Sequence, residues 1–242
     1  MTVTWCWSSG PSFNDEHLYA VQATDGRVLW KFKSEGGPFD ASVALADLDG
    51  DKSLEIVAAD SSTGTLFCLN AAGQVVWKKK LPNSTDSPPS VADLDGDGAP
   101  EIAVAGGRMH LFDLEGRELW KTENYGSIPR GAAAADVDGD GLQELLFGAS
   151  DRRFRAVDGK TGHELWAFDA TTKGHVYESL DSGPVVADFD QNGTLEVFFI
   201  AGKGTSDESR PENYGRAIAL SLGKGSDQWP MFRGNLRRTG VQ

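Results

Sequence analysis

Asp93-Leu94-Asp95-Gly96-Asp97-Gly98-Ala99-Pro100-Glu101 runs directly into the apolar Ile102-Ala103-Val104, and the small, apolar Ser90-Val91-Ala92 precedes it. Near-copies begin at Asp47, Asp136 and Asp188. Each copy sets oxygen-bearing side chains at the first, third, fifth and ninth places of a nine-residue loop. Short apolar runs bounded by Gly, Asp and Asn read as β-strands joined by tight turns. The side-chain spacing is that of oxygen ligands for a hard cation, and Ca2+ is the expected one.

A second marker recurs in phase with the first. It is Gly-x-x-x-Trp, found at Gly26 to Trp30, Gly73 to Trp77, Gly116 to Trp120, Gly162 to Trp166 and Gly225 to Trp229. One unit reads as four strands, at 89–92, 101–105, 108–114 and 117–122. Four short antiparallel strands in a unit of about 45 residues have the dimensions of a β-propeller blade. The Trp stands at a fixed place in the outermost strand, where a large aromatic covers the adjoining blade. The Gly before it suits a turn of positive φ.

The fold class is therefore all-β, a single β-propeller domain over 1–242. Five Trp marks against four acidic loops predict five blades, with the first short of its innermost strand. The blades are expected at 1–33 plus the C-terminal tail, 41–80, 88–122, 131–168 and 183–230. Pairing of the N- and C-terminal segments would close the ring and remove exposed sheet edges. In the other reading Trp229 belongs only to the tail, and the chain is an incomplete ring or a fragment of a larger one.

The formal net charge is −13, with 36 Asp and Glu, and no dense Lys/Arg cluster offers a nucleic acid a basic face. Arg152, Arg153 and Arg155 alternate along a strand and read as a solvated face. Four bound Ca2+ would bring the formal charge from −13 to −5. The two cysteines, Cys6 and Cys68, exclude a disulfide framework and read as buried thiols, although one bridge is open to them. No stretch approaches a membrane span of about 20 apolar residues. The N-terminus lacks the basic and apolar regions of a signal peptide, so either a signal was removed or the chain is a domain cut from a longer protein.

The loops at Asp47, Asp93 and Asp136 resemble the calcium loops of FG-GAP/VCBS repeats, those of the integrin α-subunit propeller and of many bacterial surface proteins. The stretches 20–30 and 156–166 resemble the tryptophan-docking repeats of quinoprotein-like propellers. The tail from Trp229-Pro230-Met231-Phe232-Arg233-Gly234-Asn235 to Arg238-Thr239-Gly240 resembles a segment beside bacterial propellers of this mixed kind. Two departures stand out. The ninth place is Glu where integrin loops usually carry Asp, and the first loop has Lys52 at the sixth place where the other three have Gly. Quinoprotein enzymes bind quinone on the axis of a larger ring, so quinone catalysis is not carried over.

Up to four Ca2+ are expected, one per loop. The ligands are Asp47, Asp49, Asp51, Ser53 and Glu55; Asp93, Asp95, Asp97, Ala99 and Glu101; Asp136, Asp138, Asp140, Leu142 and Glu144; and Asp188, Asp190, Asn192, Thr194 and Glu196. The residue at place seven would contribute its carbonyl. An EF-hand is rejected, because place twelve falls inside an apolar strand at Ala58, Val104, Phe147 and Phe199.

Seven residues before each acidic loop stand Asp40, Asp86, Pro129 and Asp181, with Arg130 beside the odd one. These positions lead into the innermost strands and should gather at one mouth of the channel, where nearby Tyr177 adds an aromatic. Asp40, Asp86, Arg130, Asp181 and Tyr177 are thus the candidate ligand-binding residues, against the alternative of solvated loops. The insertion around 202–214 offers either a partner-contact loop or a tolerated surface loop.

The composite expectation is a calcium-binding β-propeller located extracellularly, at the cell surface or in the periplasm. It would act as a binding or adhesion module for a protein or glycan partner, with no nucleic acid and no membrane insertion. A polysaccharide lyase or glycosidase, or a purely structural domain of a larger secreted protein, are the alternatives. No catalytic residue is singled out.

Overall fold

The structure, a computed structural model, describes residues 16–171, 180–202, 215–225 and 229–230. Among these residues there is no helix, and 17 strands form five antiparallel sheets. The first sheet has two strands, β1 (His17–Val21) and β2 (Val28–Lys33). Three complete four-stranded sheets follow. They are β3 (Ala44–Ala46), β4 (Glu55–Ala59), β5 (Thr65–Leu69) and β6 (Val75–Lys80); β7 (Ser90–Ala92), β8 (Glu101–Ala105), β9 (Met109–Phe112) and β10 (Glu118–Lys121); and β11 (Ala133–Ala135), β12 (Glu144–Gly148), β13 (Arg153–Asp158) and β14 (Glu164–Asp169). The last sheet has three, β15 (Val185–Ala187), β16 (Leu195–Ala201) and β17 (Arg216–Gly223).

Each complete sheet is a meander in which neighbours in sequence pair. The short inner strands β3, β7, β11 and β15 touch in series, as blades of a β-propeller do. The middle strands carry apolar side chains on both faces: β4, β5, β8, β9 and β12 are buried throughout. One face of each complete sheet packs on the sheet before it and the other on the sheet after it. Stacked Phe154 and Phe199, with centroids 4.1 Å apart, join the third complete sheet to the last.

The tryptophan series works between blades. Trp30 Nε1 donates to the Ala71 carbonyl at 3.0 Å, Trp77 to Leu114 at 2.7 Å and Trp120 to Gly159 at 2.9 Å. Each indole lies on the glycine of the next unit's motif. A Cβ at Gly73, Gly116 or Gly162 would stand 2.7, 2.9 or 2.5 Å from the indole of Trp30, Trp77 or Trp120. These glycines also have positive φ, at 77°, 73° and 72°. Gly and Trp therefore recur together because one unit's Gly seats the preceding unit's Trp.

The two ends depart from the repeat. β1 and β2 are a third and a fourth strand, since Ala20 pairs with Trp30 as Cys68 does with Trp77. Residues 1–15 and 231–242, expected to complete and close that blade, lie outside the described residues. Trp229 was expected in an outermost strand. Instead it forms an isolated antiparallel bridge with Val186 of β15, accepting from the Val186 N–H at 2.7 Å. The reason is the path after β17. Lys224 and Gly225 run against the third acidic loop, where a Cβ on Gly225 would meet the Asp136 carbonyl at 1.9 Å. Only a glycine fits at this close approach to the loop backbone, which lies away from the outer edge of β17.

Candidate metal centres

Each acidic loop joins an inner strand to the strand beside it, and the same hydrogen bonds shape the first three loops. The place-one carboxylate accepts from the backbone N–H groups of places four and six. Asp47 takes Gly50 at 2.8 Å and Lys52 at 3.0 Å. Asp93 takes Gly96 at 2.9 Å and Gly98 at 3.0 Å. Asp136 takes Gly139 at 2.7 Å and Gly141 at 3.2 Å. The place-three Asp accepts from the N–H of place five at 3.1 Å in all three. The place-nine Glu reaches back to the N–H of place two, at 2.8 Å for Glu55 to Leu48, Glu101 to Leu94 and Glu144 to Val137. These bonds hold the carboxylates in fixed directions before any ligand arrives.

The turn requires left-handed backbone at places four and six. Gly supplies it at Gly96 and Gly98, with φ of 77° and 91°. In the first loop Lys52 adopts φ 71° without being glycine, so the strain expected of it is present. The fourth loop differs at one bond. Gln191 at place four takes φ 61° without being glycine, and Asp188 accepts from Gly193 at place six as the others do, but its second bond comes from Asn192 at place five.

In every loop the carboxylates of places one, three and nine converge. Asp47, Asp49 and Glu55; Asp93, Asp95 and Glu101; Asp136, Asp138 and Glu144; and Asp188, Asp190 and Glu196 each bring one oxygen apiece to within 4.8 Å of one another. Place five stands apart from these triplets, and its side chain accepts from the N–H of place seven at 2.6 to 2.8 Å.

Burial and like charge make these triplets costly without a counter-ion. Glu101 and Glu144, 5% and 2% exposed, have their carboxyls pushed up to about 7. Loss of water is the larger cause. The backbone N–H bond from Leu94 or Val137 opposes it, and the three Asp of the same loop add to it. Glu55 is raised for the same reasons. A divalent cation among three such oxygens would reverse the balance, and an all-oxygen donor set is what a hard cation takes.

The expected channel-mouth residues have separate partners where the structure describes them. Asp40 accepts from Ser61 Oγ at 2.5 Å. Arg130 Nε donates to the Asp181 carbonyl at 2.8 Å, so these two meet. Asp86 lines a polar cavity of about 340 Å3 with Asn83, Thr85, Asn124 and Ser127. Tyr177 lies outside the described residues, as do Cys6 and most of the 202–214 insertion.

Two features escaped the sequence reading. Arg155 does not lie on a solvated face: it is 2% exposed. Its guanidinium bonds Asp151, bonds Glu164 at 2.9 Å and lies 3.9 Å from the Tyr125 ring centroid. Burial works against its charge, but the bonds to Asp151 and Glu164 more than offset this, and the net shift is upward. The pairing places Arg155 opposite Phe147, at the register held by Phe67 and His110 in the preceding sheets. His110 is also buried, with Nδ1 2.6 Å from Glu118 Oε1 and its pKa lowered by burial against that bond. Comparing units position by position would have found both, since each puts a polar residue where the first complete sheet has Phe67 and the last has Ile218. Cys68 is a buried free thiol whose pKa burial pushes up to about 12.

Residues 14–233 match the protein family described as outer membrane protein assembly factor BamB. No curated protein matches the chain. Among solved structures, the biofilm matrix protein Bap1 of V. cholerae is 24% identical over 88% of this chain and 33% of its own, with a TM-score of 0.65. BamB of Moraxella catarrhalis is 19% identical over 78% of this chain and 58% of its own, with a TM-score of 0.53. Quinohemoprotein alcohol dehydrogenase of Comamonas testosteroni is 14% identical over 86% of this chain and 42% of its own, with a TM-score of 0.54. This chain thus spans 33% to 58% of the length of these proteins, and the likeness to them is one of fold.

Proposed function

The chain belongs to the outer membrane protein assembly factor BamB family, and from that premise we propose that it is a calcium-braced β-propeller that serves as a binding module outside the cytoplasm. The family carries the tryptophan-docking half of the sequence resemblance. The acidic loops, with their likeness to FG-GAP/VCBS repeats, would add a metal brace to each blade. The observation that carries this reading is the four-fold triplet, in which three carboxylate oxygens lie within 4.8 Å at the same place in every loop.

In this reading each Ca2+ ties the start of a blade's second strand to the end of its first, through the buried Glu of place nine and the Asp of places one and three. The ion serves the fold. Extracellular modules bind Ca2+ at about 10⁻⁴–10⁻³ M, a range that suits a protein exposed to external calcium. No helix among the described residues is long and apolar enough to cross a membrane. The matched family is described as an outer membrane assembly factor and the Bap1 structure as a biofilm matrix protein, which supports an envelope or external location.

In this reading partner recognition falls to the polar cavity around Asp86. Side-chain amides, a carboxylate and hydroxyls converge there, a lining suited to a hydroxyl-rich ligand such as a glycan or to a polar protein loop. Calcium titration of metal-stripped protein by calorimetry tests the brace: saturable binding with a rise in Tm is expected, and no heat and no shift would sink it. A glycan array with wild type and Asp86→Ala tests the cavity. Binding that survives the substitution unchanged places the ligand elsewhere.

A further inference from the structure

The outermost strands of this protein are guarded against further pairing, with one exception. β2 carries Lys31 and Lys33, β6 carries Lys78, Lys79 and Lys80, β10 carries Glu118 and Lys121, and β14 carries Glu164 and Asp169. Charges along a free edge stop another strand from adding to it. The last sheet ends one strand earlier, on β17, and from Ala217 to Gly223 that strand carries no charge at all. It has the sequence of a third strand, which elsewhere is covered by a fourth.

Among the described residues that follow β17, none supplies that fourth strand. In the complete sheets the outer strand begins within six residues of the third: Leu69 to Val75, Phe112 to Glu118, Asp158 to Glu164. Here Trp229, the sixth residue after Gly223, is already bonded to β15 at the opposite edge of the same sheet. The sheet is apolar on its open face too. Phe198 and Ile200 are 38% and 46% exposed, whereas Val57, Ala103 and Leu146, which hold the place of Phe198 in the other sheets, are at most 2% exposed.

We propose that the β17 edge is a dimerisation edge, on which β17 of a second copy pairs antiparallel about a two-fold axis. The strand's own sequence favours this occupant. Ala217-Ile218-Ala219-Leu220-Ser221-Leu222 alternates small and large residues, and Ala217, Ala219 and Ser221 are exposed. Antiparallel self-pairing centred on Ala219 sets Ile218 opposite Leu220 and Ala217 opposite Ser221, so both faces continue across the axis. Arg216 then faces Leu222, and no like charges oppose each other. Closed two-fold pairs of this kind are the commonest homo-oligomers.

Sedimentation equilibrium of the full 242-residue chain over a range of micromolar concentrations tests the proposal. Twice the monomer mass is expected. Ala219→Lys and Ser221→Lys, at exposed positions that leave the core untouched, should each raise the dimer Kd at least about tenfold by placing charge on the edge. Lys78→Ala, on a guarded edge, should leave it unchanged. Circular dichroism and the Tm of each variant when dilute confirm that it still folds. A chain that stays monomeric at every concentration overturns the proposal, as does a dimer indifferent to both lysines. A monomer whose β17 amides resist hydrogen exchange overturns it as well, because a segment of the same chain then occupies the edge.

Discussion

Calcium-stripped protein should lose stability as the pH is raised from about 5 to about 8, and calcium should remove most of that loss. The direction follows from which state holds the proton. Glu101 and Glu144 have an ordinary value of 4.5 and a folded value of about 7, so between these pH values the folded protein binds more protons than the unfolded chain. Stability then falls with rising pH through that window and levels off above it. Without screening, each shift would correspond to about 3 kcal/mol. The neighbouring Asp97, Asp138 and Asp140 are exposed, and water and salt around them reduce this to on the order of 1–2 kcal/mol each. In a chain of this size each kcal/mol moves the Tm by about 2–4 °C, so the combined fall is about 5–15 °C. Thermal melts of stripped and calcium-loaded protein at matched pH measure it directly. His110 pulls the other way below pH 6.5, since burial keeps its ring neutral, so Glu101→Gln and Glu144→Gln isolate the carboxyl contribution. Stripped protein whose Tm is flat or rises over this window, with calcium adding the same increment at both ends, would refute the reasoning.

Three further substitutions probe the scaffold. Gly116→Ala puts a methyl 2.9 Å from the Trp77 indole at φ 73° and should cost about 1–3 kcal/mol in urea unfolding. Arg155→Ala leaves Asp151 and Glu164 without their buried partner and should cost about 3 kcal/mol, whereas Arg155→Met, which refills the volume, should cost less if Asp151→Asn and Glu164→Gln accompany it. Lys52→Gly relieves left-handed strain and removes a cation from the first loop; it should raise the Tm by a few degrees and tighten calcium there, read by calorimetry.

The repeat made most of the fold legible. Because the Trp and the acidic loop recur in phase, strand boundaries fell within two residues of those observed in the unit built around Asp93, with β8 at 101–105 as expected. A periodic signal averages out local accidents, and the physics it reports, an indole on a glycine and a carboxylate on two N–H groups, is short-range. What the repeat could not convey was anything that happens once. Trp229 carries the same Gly-x-x-x-Trp spelling as the others, yet it lies against β15, and the glycine of its motif packs on the Asp136 carbonyl rather than seating a preceding Trp. That contact joins distant parts of the chain and leaves no mark in the motif.

The candidate site divides along the same line. The triplets at Asp47, Asp93, Asp136 and Asp188 were legible because all three carboxylates of each come from one nine-residue stretch. Asp40, Asp86, Arg130 and Asp181 share an equal offset from each loop, which puts them at equivalent points on successive blades but does not convey which of them touch. Arg130 reaches the Asp181 carbonyl at 2.8 Å, while Asp86 opens onto a cavity shared with Asn124 of the next connection. Binding specificity in such a protein is therefore to be sought in differences between units, whereas stability resides in what the units share. Arg155, His110 and the uncharged β17 are all differences of this kind, and each stands where the corresponding position of another unit holds something else.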